Sequence, residues 1–342
     1  MHGLSSHFVW VNRSKESLTL DVKQPEAAEI LKALLADADV LVQNLAPGAA
    51  HRLGLGYDAL KDTHPRLIAC DISGYGANGP YRDRKAYDLL IQSESGFLSI
   101  TGSPGQPAKA GCSIADISAG MVAFSSILSA LLMRGRTGQG SRIDVSMLES
   151  MVEWMGYPLY YAIDGQSPPA PSGASHATIY PYGPFPAGDG KTVMLGLQNE
   201  REWKLFCEQV LRQPGLADDA RFNANSKRHA ARDALHALIV DAFAALTAAD
   251  VMQRLDAAGI ANAQMNTLDD VWRDPQLGAR ERWRSVETAA GAVPALLPPG
   301  LPDGVEPRMD AVPALGQHTD AILADLGYTR ARIDALRANG TI

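Results

Sequence analysis

The sequence predicts an α/β protein, with a large domain around a parallel sheet followed by a smaller α+β domain. Three observations carry this. Strand-like and helix-like segments alternate from residue 18 to residue 72, as in parallel βαβ units. Between Gly165 and Gly173 the composition shifts to Gln166-Ser-Pro-Pro-Ala-Pro-Ser172, a linker. Beyond it the chain changes style, with a hairpin pattern on Asp189-Gly190 and a run of amphipathic helices. The expected boundaries are residues 1–165 for the first part of the large domain, 166–180 for the linker, 181–290 for the small domain and 291–342 for a second linker and tail.

Phe8 to Val11 reads as extended, and Leu18, Leu20 and Val22 alternate with polar residues as in a strand. Pro25 suits the first position of a helix whose apolar face is Ala27, Ile30, Leu31 and Leu34. Val40 to Gln43 predicts a buried strand, Asn44 to Gly48 a turn, and Ala49–Leu53 and Tyr57–Lys61 short helices. Leu67 to Ile72 is the next strand. A long apolar helix follows Asp116, with Leu128, Leu131 and Leu132 at the spacing of a buried face. Gly135 is its expected stop, with Arg134 in the last turn. A glycine turn, a short strand and another helix then reach Glu149.

In the small domain, Tyr180–Phe185 and Lys191–Leu195 form the hairpin. Helices are expected over 200–210, 226–245 and 248–257, with a return strand at Ala261–Gln264. Residues 294–307 read as a Pro-rich linker, and Gly316 to Ile342 as two short helices.

Composition removes several functions. Hydrophobic residues at 46% and charged residues at 20% are ordinary for a globular protein, and a net charge of −7 argues against nucleic acid. Cys70, Cys112 and Cys207 show no CxxC spacing, which argues for reduced thiols. No apolar run reaches membrane-spanning length and the first residues lack a signal core, so the expectation is a cytoplasmic protein away from membranes. The histidines have no metal-ligand spacing, and there is neither a G-x-S-x-G elbow nor a P-loop. Gly74-Tyr-Gly76-Ala-Asn-Gly79 matches the dinucleotide fingerprint, but Pro80 follows where a helix must open. Arg13, Lys15, Lys23, Arg52, Arg66 and Lys85 form either a solvated rim or a phosphate-holding group. Asp116 at a helix start reads first as a cap.

Taken in order, a set of motifs resembles a known family. They are Asn12-Arg-Ser-Lys15, Leu18-Thr-Leu-Asp21, Gln43-Asn-Leu-Ala-Pro-Gly48, Leu53-Gly-Leu-Gly-Tyr57 and Pro65-Arg-Leu-Ile68. Ser73-Gly-Tyr-Gly76, Gly79-Pro80, Tyr87-Asp88, Ala115-Asp116 with Gly120-Met121, Arg136-Thr-Gly-Gln-Gly140, Asp144-Val-Ser-Met147 and Leu315-Gly-Gln-His-Thr319 follow. The set resembles the family III CoA-transferases, the superfamily of formyl-CoA transferase, carnitine CoA-transferase and α-methylacyl-CoA racemase.

The resemblance implies a Rossmann-like large domain, a C-terminal return to it, and an intertwined homodimer. It implies that Asp116 is the nucleophile, attacking an acyl-CoA thioester and passing through an aspartyl anhydride and an aspartyl-CoA thioester. A helix N-terminus favours an ionised carboxylate, and nearby N–H groups can stabilise an oxyanion. It implies coenzyme A as substrate, with no metal, contacted by Leu20, Asp21, Val22 and Lys23, by Asn44, Leu45 and Ala46, by Arg52, and by Lys85, Ala86, Tyr87, Asp88 and Leu89. Arg52 and Lys85 serve the phosphates in this reading. Leu45-Ala46 depart from the aromatic and longer residues that members often carry there. Members also begin with a further strand and helix that contribute to the CoA pocket. The expectation is therefore an N-terminally truncated chain that binds CoA poorly.

The partners so implied are an acyl-CoA, with succinyl-CoA the first choice, and a short carboxylic or dicarboxylic acid. The stretch His176-Ala-Thr-Ile-Tyr-Pro-Tyr-Gly-Pro-Phe185 looks like members acting on mesaconate, citramalate or itaconate. Ser172-Gly-Ala-Ser175 stands where formyl-CoA transferase has a glycine-rich loop, and its difference argues against oxalate. Arg201 is either a carboxylate partner or a solvated helix charge, and His176 either a substrate contact or a packing residue. Two alternatives remain. One is a racemase, which needs a His where Lys85-Ala-Tyr-Asp88 stands. The other is a catalytically impaired homologue acting as a structural partner.

Overall fold

The computed structural model describes residues 3–342. In chain order its elements begin with α1 (Ser6–Val11), α2 (Pro25–Asp37), β1 (Val40–Gln43), α3 (Ala49–Arg52), α4 (Tyr57–Leu60) and β2 (Ile68–Ser73). Then come α5 (Asp88–Glu94), α6 (Phe97–Ile100), β3 (Gly102–Ser103), β4 (Gln106–Pro107), α7 (Ile114–Thr137), β5 (Arg142–Ser146) and α8 (Met147–Tyr161). After a long connection follow β6 (Tyr182–Pro186), β7 (Thr192–Gly196), α9 (Glu200–Leu205), α10 (Asn225–Ala230), α11 (Arg232–Phe243), α12 (Ala248–Ala257) and β8 (Asn262–Gln264). The chain ends with α13 (Leu268–Trp272), α14 (Pro275–Ala279), β9 (Trp283–Val286), β10 (Val293–Leu296), α15 (Thr319–Asp325) and α16 (Arg330–Ala338).

The chain forms two compact units. One runs up to Ile72 and includes Ala123–Asp144 and Leu268–Ile342; the other holds Ser73–Val122 and Val145–Thr267. In the first, β1 and β2 pair in parallel from Val40 opposite Ile68 to Gln43 opposite Asp71, and the sheet runs β1-β2-β5. This is the parallel α/β arrangement that the alternation predicts. Gly140 lets β5 start close to β2: a Cβ there would lie 2.0 Å from the Leu67 carbonyl oxygen, and its N–H bonds Pro65 O at 2.7 Å. No larger residue fits, which gives the Arg136-Thr-Gly-Gln-Gly140 pattern a packing reason.

Several sequence expectations change. Phe8–Val11 lies in helix α1, its side chains largely exposed; among the described residues no strand pairs with it to complete a ladder. Residues 15–21 are extended but belong to no strand. Their backbone bonds go to the tail: Ser17 N to His318 Nδ1, Thr19 N to Thr319 Oγ1 and Asp21 N to Thr341 O. Leu18 and Leu20 pack beside Ile30, Leu323, Ile333 and Leu336. β1 is a strand but not a buried one, since Val42 is 50% exposed. Residues 294–296, read as linker, pair antiparallel with β9.

The largest change concerns α7. It continues through Gly135 to Thr137, and Gly138 at φ 75° ends it. Its buried positions are small: Ala115, Ser118, Ala119, Ala123 and Ala130. Met121, Phe124, Leu128, Leu132 and Met133 are exposed, so the leucine spacing marks the outer face, not the buried one. With 24 residues, α7 is also long and apolar enough to cross a membrane by length and composition. The serines and glycines scattered along it hide that in the sequence.

In the second unit, β6, β7 and β8 form an antiparallel sheet in that order. The predicted hairpin turns at Asp189-Gly190, where Asp189 Oδ1 accepts from Lys191 N at 3.2 Å. Around this sheet, α9, α11 and α12 bury Trp203, Phe206, Phe222, Leu235, Phe243, Val251 and Leu255. α9 and α12 begin on side-chain caps, Asn199 on Glu202 N and Thr247 on Asp250 N.

Candidate active site

α7 starts when Ser113 O accepts the first helical bond, from Ile117 N at 3.0 Å. That makes Ser113 the N-cap, Ile114 N1, Ala115 N2 and Asp116 N3. Ala115 is fully buried and Asp116 exposed, so the helix turns its alanine inward and its carboxylate outward. The first turn is held from below: Ser118, also fully buried, donates its hydroxyl to Ser150 O on α8 at 2.8 Å. Ile114, Ala115, Ile91 and Met151 pack together there. A carboxylate in the first turn lies at the positive end of the helix dipole, a favourable setting for an ionised nucleophile.

The Lys85–Leu89 segment, in the same unit, splits by residue. Lys85, Tyr87 and Leu89 are exposed. Ala86 turns inward: a Cβ on Gly74 would lie 2.2 Å from the Ala86 Cβ, so the Ser73-Gly-Tyr-Gly76 and Lys85-Ala86 motifs are two sides of one contact. Asp88 points at α7, its Oδ1 accepting from Ala115 N at 2.8 Å. Oδ2 accepts from Gln92 Nε2 at 2.6 Å, and Gln92 Oε1 accepts from Ala110 N at 2.9 Å. Gln92 is fully buried and went unnoticed in the sequence reading. A local signal for it existed, the i, i+4 spacing of Asp88 and Gln92 on a helix.

The other expected contacts lie in the first unit. Asn44, Leu45 and Ala46 are exposed directly after β1, at the carboxyl end of a parallel strand, where α/β folds bind ligands. Leu45 N donates to Gln43 Oε1 at 2.8 Å, and Gln43 Nε2 donates to Asp71 Oδ1 at 2.8 Å. Arg142 Nε reaches Asp71 Oδ2 at 3.0 Å. One side chain from each of the three strands thus buttresses this loop. Only the fold brings Gln43, Asp71 and Arg142 together. Arg52 is exposed at the end of α3, after Gly48 enters the helix at φ 74°. Asp21 turns the Leu20–Lys23 segment, its Oδ1 accepting from Lys23 N at 3.0 Å. Val22 and Lys23 are exposed, whereas Leu20 is half-buried in the cluster with Ile30 and Leu323. A cavity of about 300 Å³ between α2 and the Leu53–His64 segment is lined by none of these residues.

His176 is exposed and fixed. Its Nδ1 accepts from Thr178 N at 3.2 Å and Ile179 N at 3.0 Å, and its ring stacks on Tyr182 with centroids 5.2 Å apart. An accepting Nδ1 leaves the proton of the neutral ring on Nε2. The preceding loop is anchored by Gly173 N on Gly102 O at 2.7 Å. Arg201 is exposed on α9. Among the described residues, no cluster of three or more His, Cys, Asp or Glu side chains could hold a metal ion.

Comparison with known proteins places this arrangement. A family model described as CoA-transferase family III matches residues 1–319. The chain is 32% identical to a succinate–glutarate CoA-transferase of Agrobacterium fabrum, covering 94% of this chain and 81% of that protein. It is also 32% identical to a succinyl-CoA:glutarate CoA-transferase of Mus musculus, over 99% of this chain and 78% of that one. A crystal structure of a CAIB/BAIF family protein from Brucella suis superposes with a TM-score of 0.84 at 34% identity, covering 94% of this chain and 84% of that one. The fold and these likenesses define an enzyme that transfers CoA between an acyl-CoA and an acid. The chain belongs to CoA-transferase family III.

Proposed function

We propose that the protein moves CoA from succinyl-CoA, or a similar short acyl-CoA, to a short dicarboxylic acid, with Asp116 as covalent carrier. The observation that carries the reading is the exposed carboxylate of Asp116 at the third position of α7, on a first turn packed against α8. An Asp116 oxygen attacks the thioester carbonyl carbon; the C–S bond breaks, leaving an aspartyl anhydride and CoA thiolate. The thiolate attacks the Asp116 carbonyl carbon and expels the donor carboxylate, giving an aspartyl-CoA thioester. The acceptor carboxylate then displaces the thiolate to form a second anhydride. The thiolate opens that anhydride at the acceptor acyl carbon, which releases the new acyl-CoA and frees Asp116. N–H groups near a helix start suit the oxyanion of each addition.

For CoA we propose contacts from exposed residues of each unit taken by itself, Val22, Lys23, Asn44, Leu45, Ala46 and Arg52 in the first and Lys85, Tyr87 and Leu89 in the second, with Arg52 and Lys85 for phosphates. The relatives named for glutarate and succinate support a dicarboxylic acceptor. The Nε2–H of His176 is a fitting donor to a carboxylate, held by its stack on Tyr182. The exposed apolar face of α7 supports a homodimer in which a second copy covers Met121, Phe124, Leu128 and Leu132. Sparse cysteines support a cytoplasmic setting.

The test supplies succinyl-CoA with a panel of two- to six-carbon acids and follows the new acyl-CoA by mass spectrometry. Asp116→Ala is expected to lose on the order of 10³-fold or more in kcat. In wild type, acyl-CoA alone should leave an adduct on the Asp116 peptide. An active Asp116→Ala variant sinks the assignment. Exchange of the α-proton of a 2-methylacyl-CoA without acceptor would favour the racemase alternative instead.

A further inference from the structure

Asp88 and Gln92 belong to α5, yet their polar atoms are committed to the chain that leads into α7. Gln92 Oε1 accepts from Ala110 N at 2.9 Å, and Asp88 Oδ1 accepts from Ala115 N at 2.8 Å. The two side chains join at 2.6 Å, through Gln92 Nε2 to Asp88 Oδ2. They grip the segment at both ends of residues 110–115, immediately before Asp116. Ala115 N is the N2 amide of α7, a donor that an N-cap side chain usually serves. Here a carboxylate from another helix takes it, a charge-assisted bond of ordinary strong geometry. Gln92 is fully buried, so its amide has no water to exchange with and is held in one orientation by its partners.

We propose that Asp88 and Gln92 are positioning residues for the transfer reaction. They act through the backbone of α7, setting where its first turn begins and therefore where the Asp116 carboxylate stands. This rests on Asp116 being the nucleophile. It also separates Asp88 from its exposed neighbours Lys85, Tyr87 and Leu89, which face the CoA side in the proposed function. Two consequences follow from the geometry. Asp88 uses both oxygens as acceptors, toward Ala115 N and toward Gln92 Nε2; an asparagine keeps the first bond and loses the second, because its NH2 would face the Gln92 NH2. And because the pair touches the enzyme's backbone and not the proposed CoA surface, it governs the chemical step and not substrate capture.

The experiment compares wild type, Asp88→Ala, Asp88→Asn, Gln92→Ala and Asp116→Ala in the full chain, with succinyl-CoA as donor and glutarate as acceptor. It reads kcat and KM for succinyl-CoA, and the rate at which acyl-CoA alone loads the Asp116 peptide. Asp88→Ala should lower kcat and the loading rate together by ~10–100-fold, the scale of a misplaced reacting group. KM should stay within about 3-fold of wild type, as expected when only the chemical step is affected. Asp88→Asn, which keeps the Ala115 bond and loses the Gln92 link, and Gln92→Ala should both fall between wild type and Asp88→Ala. If Asp88→Ala does not fold, the Asn and Gln92 variants still carry the kcat-against-KM comparison. A raised KM at unchanged kcat would make Asp88 a direct CoA contact and overturn the proposal. So would an Asn variant as poor as Ala, or a Gln92→Ala enzyme with wild-type kcat. Failure of the underlying reading looks different: wild type shows no adduct on Asp116 or Asp116→Ala stays active, and the positioning role falls with it.

Discussion

The two units hold themselves together in opposite ways. Around β6–β8, one continuous cluster of buried side chains runs from Tyr180 to Ile260 and includes Phe185, Trp203, Phe206, Phe222 and Phe243. The unit with β1 and β2 has separate small clusters, one at Ile30, Leu323, Ile333 and Leu336 and another at Leu35, Leu60 and Leu67. What joins its parts is largely polar: the Ser17–His318 and Thr19–Thr319 bonds, the Gln43–Asp71–Arg142 set, and Arg134 on Asp39 at 2.7 Å. Aromatic burial closes the first kind of core on itself. The second kind leaves apolar surface outward, on Val42 and along α7 from Ala123, where a further surface can cover it.

The strongest way to break the aromatic core is through a buried cation. Arg228 is 2% exposed and donates to Tyr180 O, Phe222 O and both oxygens of Glu200, with its guanidinium 4.9 Å from the Trp203 ring centroid. Arg228→Met should cost about 2–4 kcal/mol, because the Tyr180 and Phe222 carbonyls lose their donor while the half-exposed Glu200 returns to water, measured by denaturant unfolding. A loss below 1 kcal/mol would mean that the aromatic packing alone closes this core.

In the other unit, Gly140→Ala should cost about 1–3 kcal/mol, because its Cβ meets backbone at Leu67 and cannot be relieved by a rotamer change. Thermal unfolding reads this. An unchanged melting temperature would show that the β2–β5 approach is looser than its geometry. A smaller effect, back in the unit that holds β6–β8, belongs to Ser118→Ala, about 1 kcal/mol for one buried hydroxyl bond to Ser150. Its fold cost should be separable from activity, since the Asp88 and Gln92 bonds remain.

Acid sharpens the comparison from the other side. Arg228 holds the Glu200 carboxyl below its usual range, and Arg221 holds Asp219 down to about 2. Both folded values are depressed, so the associated stability is complete above the unfolded values and disappears as pH falls through the folded ones. For Asp219 the window runs from 3.8 down to about 2. Glu200→Gln should flatten the dependence of melting temperature on pH in this acid range. An unchanged slope would show that the Glu200–Arg228 pair contributes nothing pH-dependent.

Much of this was legible in the sequence where the signal was local. Pro25 at N1, the Asp189-Gly190 hairpin, the 248–257 helix and the Val40–Gln43 and Leu67–Ile72 strands depend on neighbours a few residues away. The faces of α7 did not follow, because a row of leucines specifies an apolar face but not what covers it, while its alanines permit the close approach that buries them. Residues 15–21 failed as a strand for a related reason: alternation was present, but their hydrogen-bond partners lie some 300 positions away in the tail.

The sequence by itself determined the family and singled out Asp116, because a set of short motifs in fixed order needs no coordinates to be read. It also determined the parallel α/β alternation, which follows from hydrophobic period and turn residues. Only the tertiary structure decided what surrounds Asp116. It turned Asp88 toward the Ala115 amide, buried Gln92 against Ala110, and set Ser118 under the first turn of α7. These bonds join residues 18 to 32 positions apart, and local pattern cannot specify such pairs, since hydrogen bonding acts through space and not along the chain.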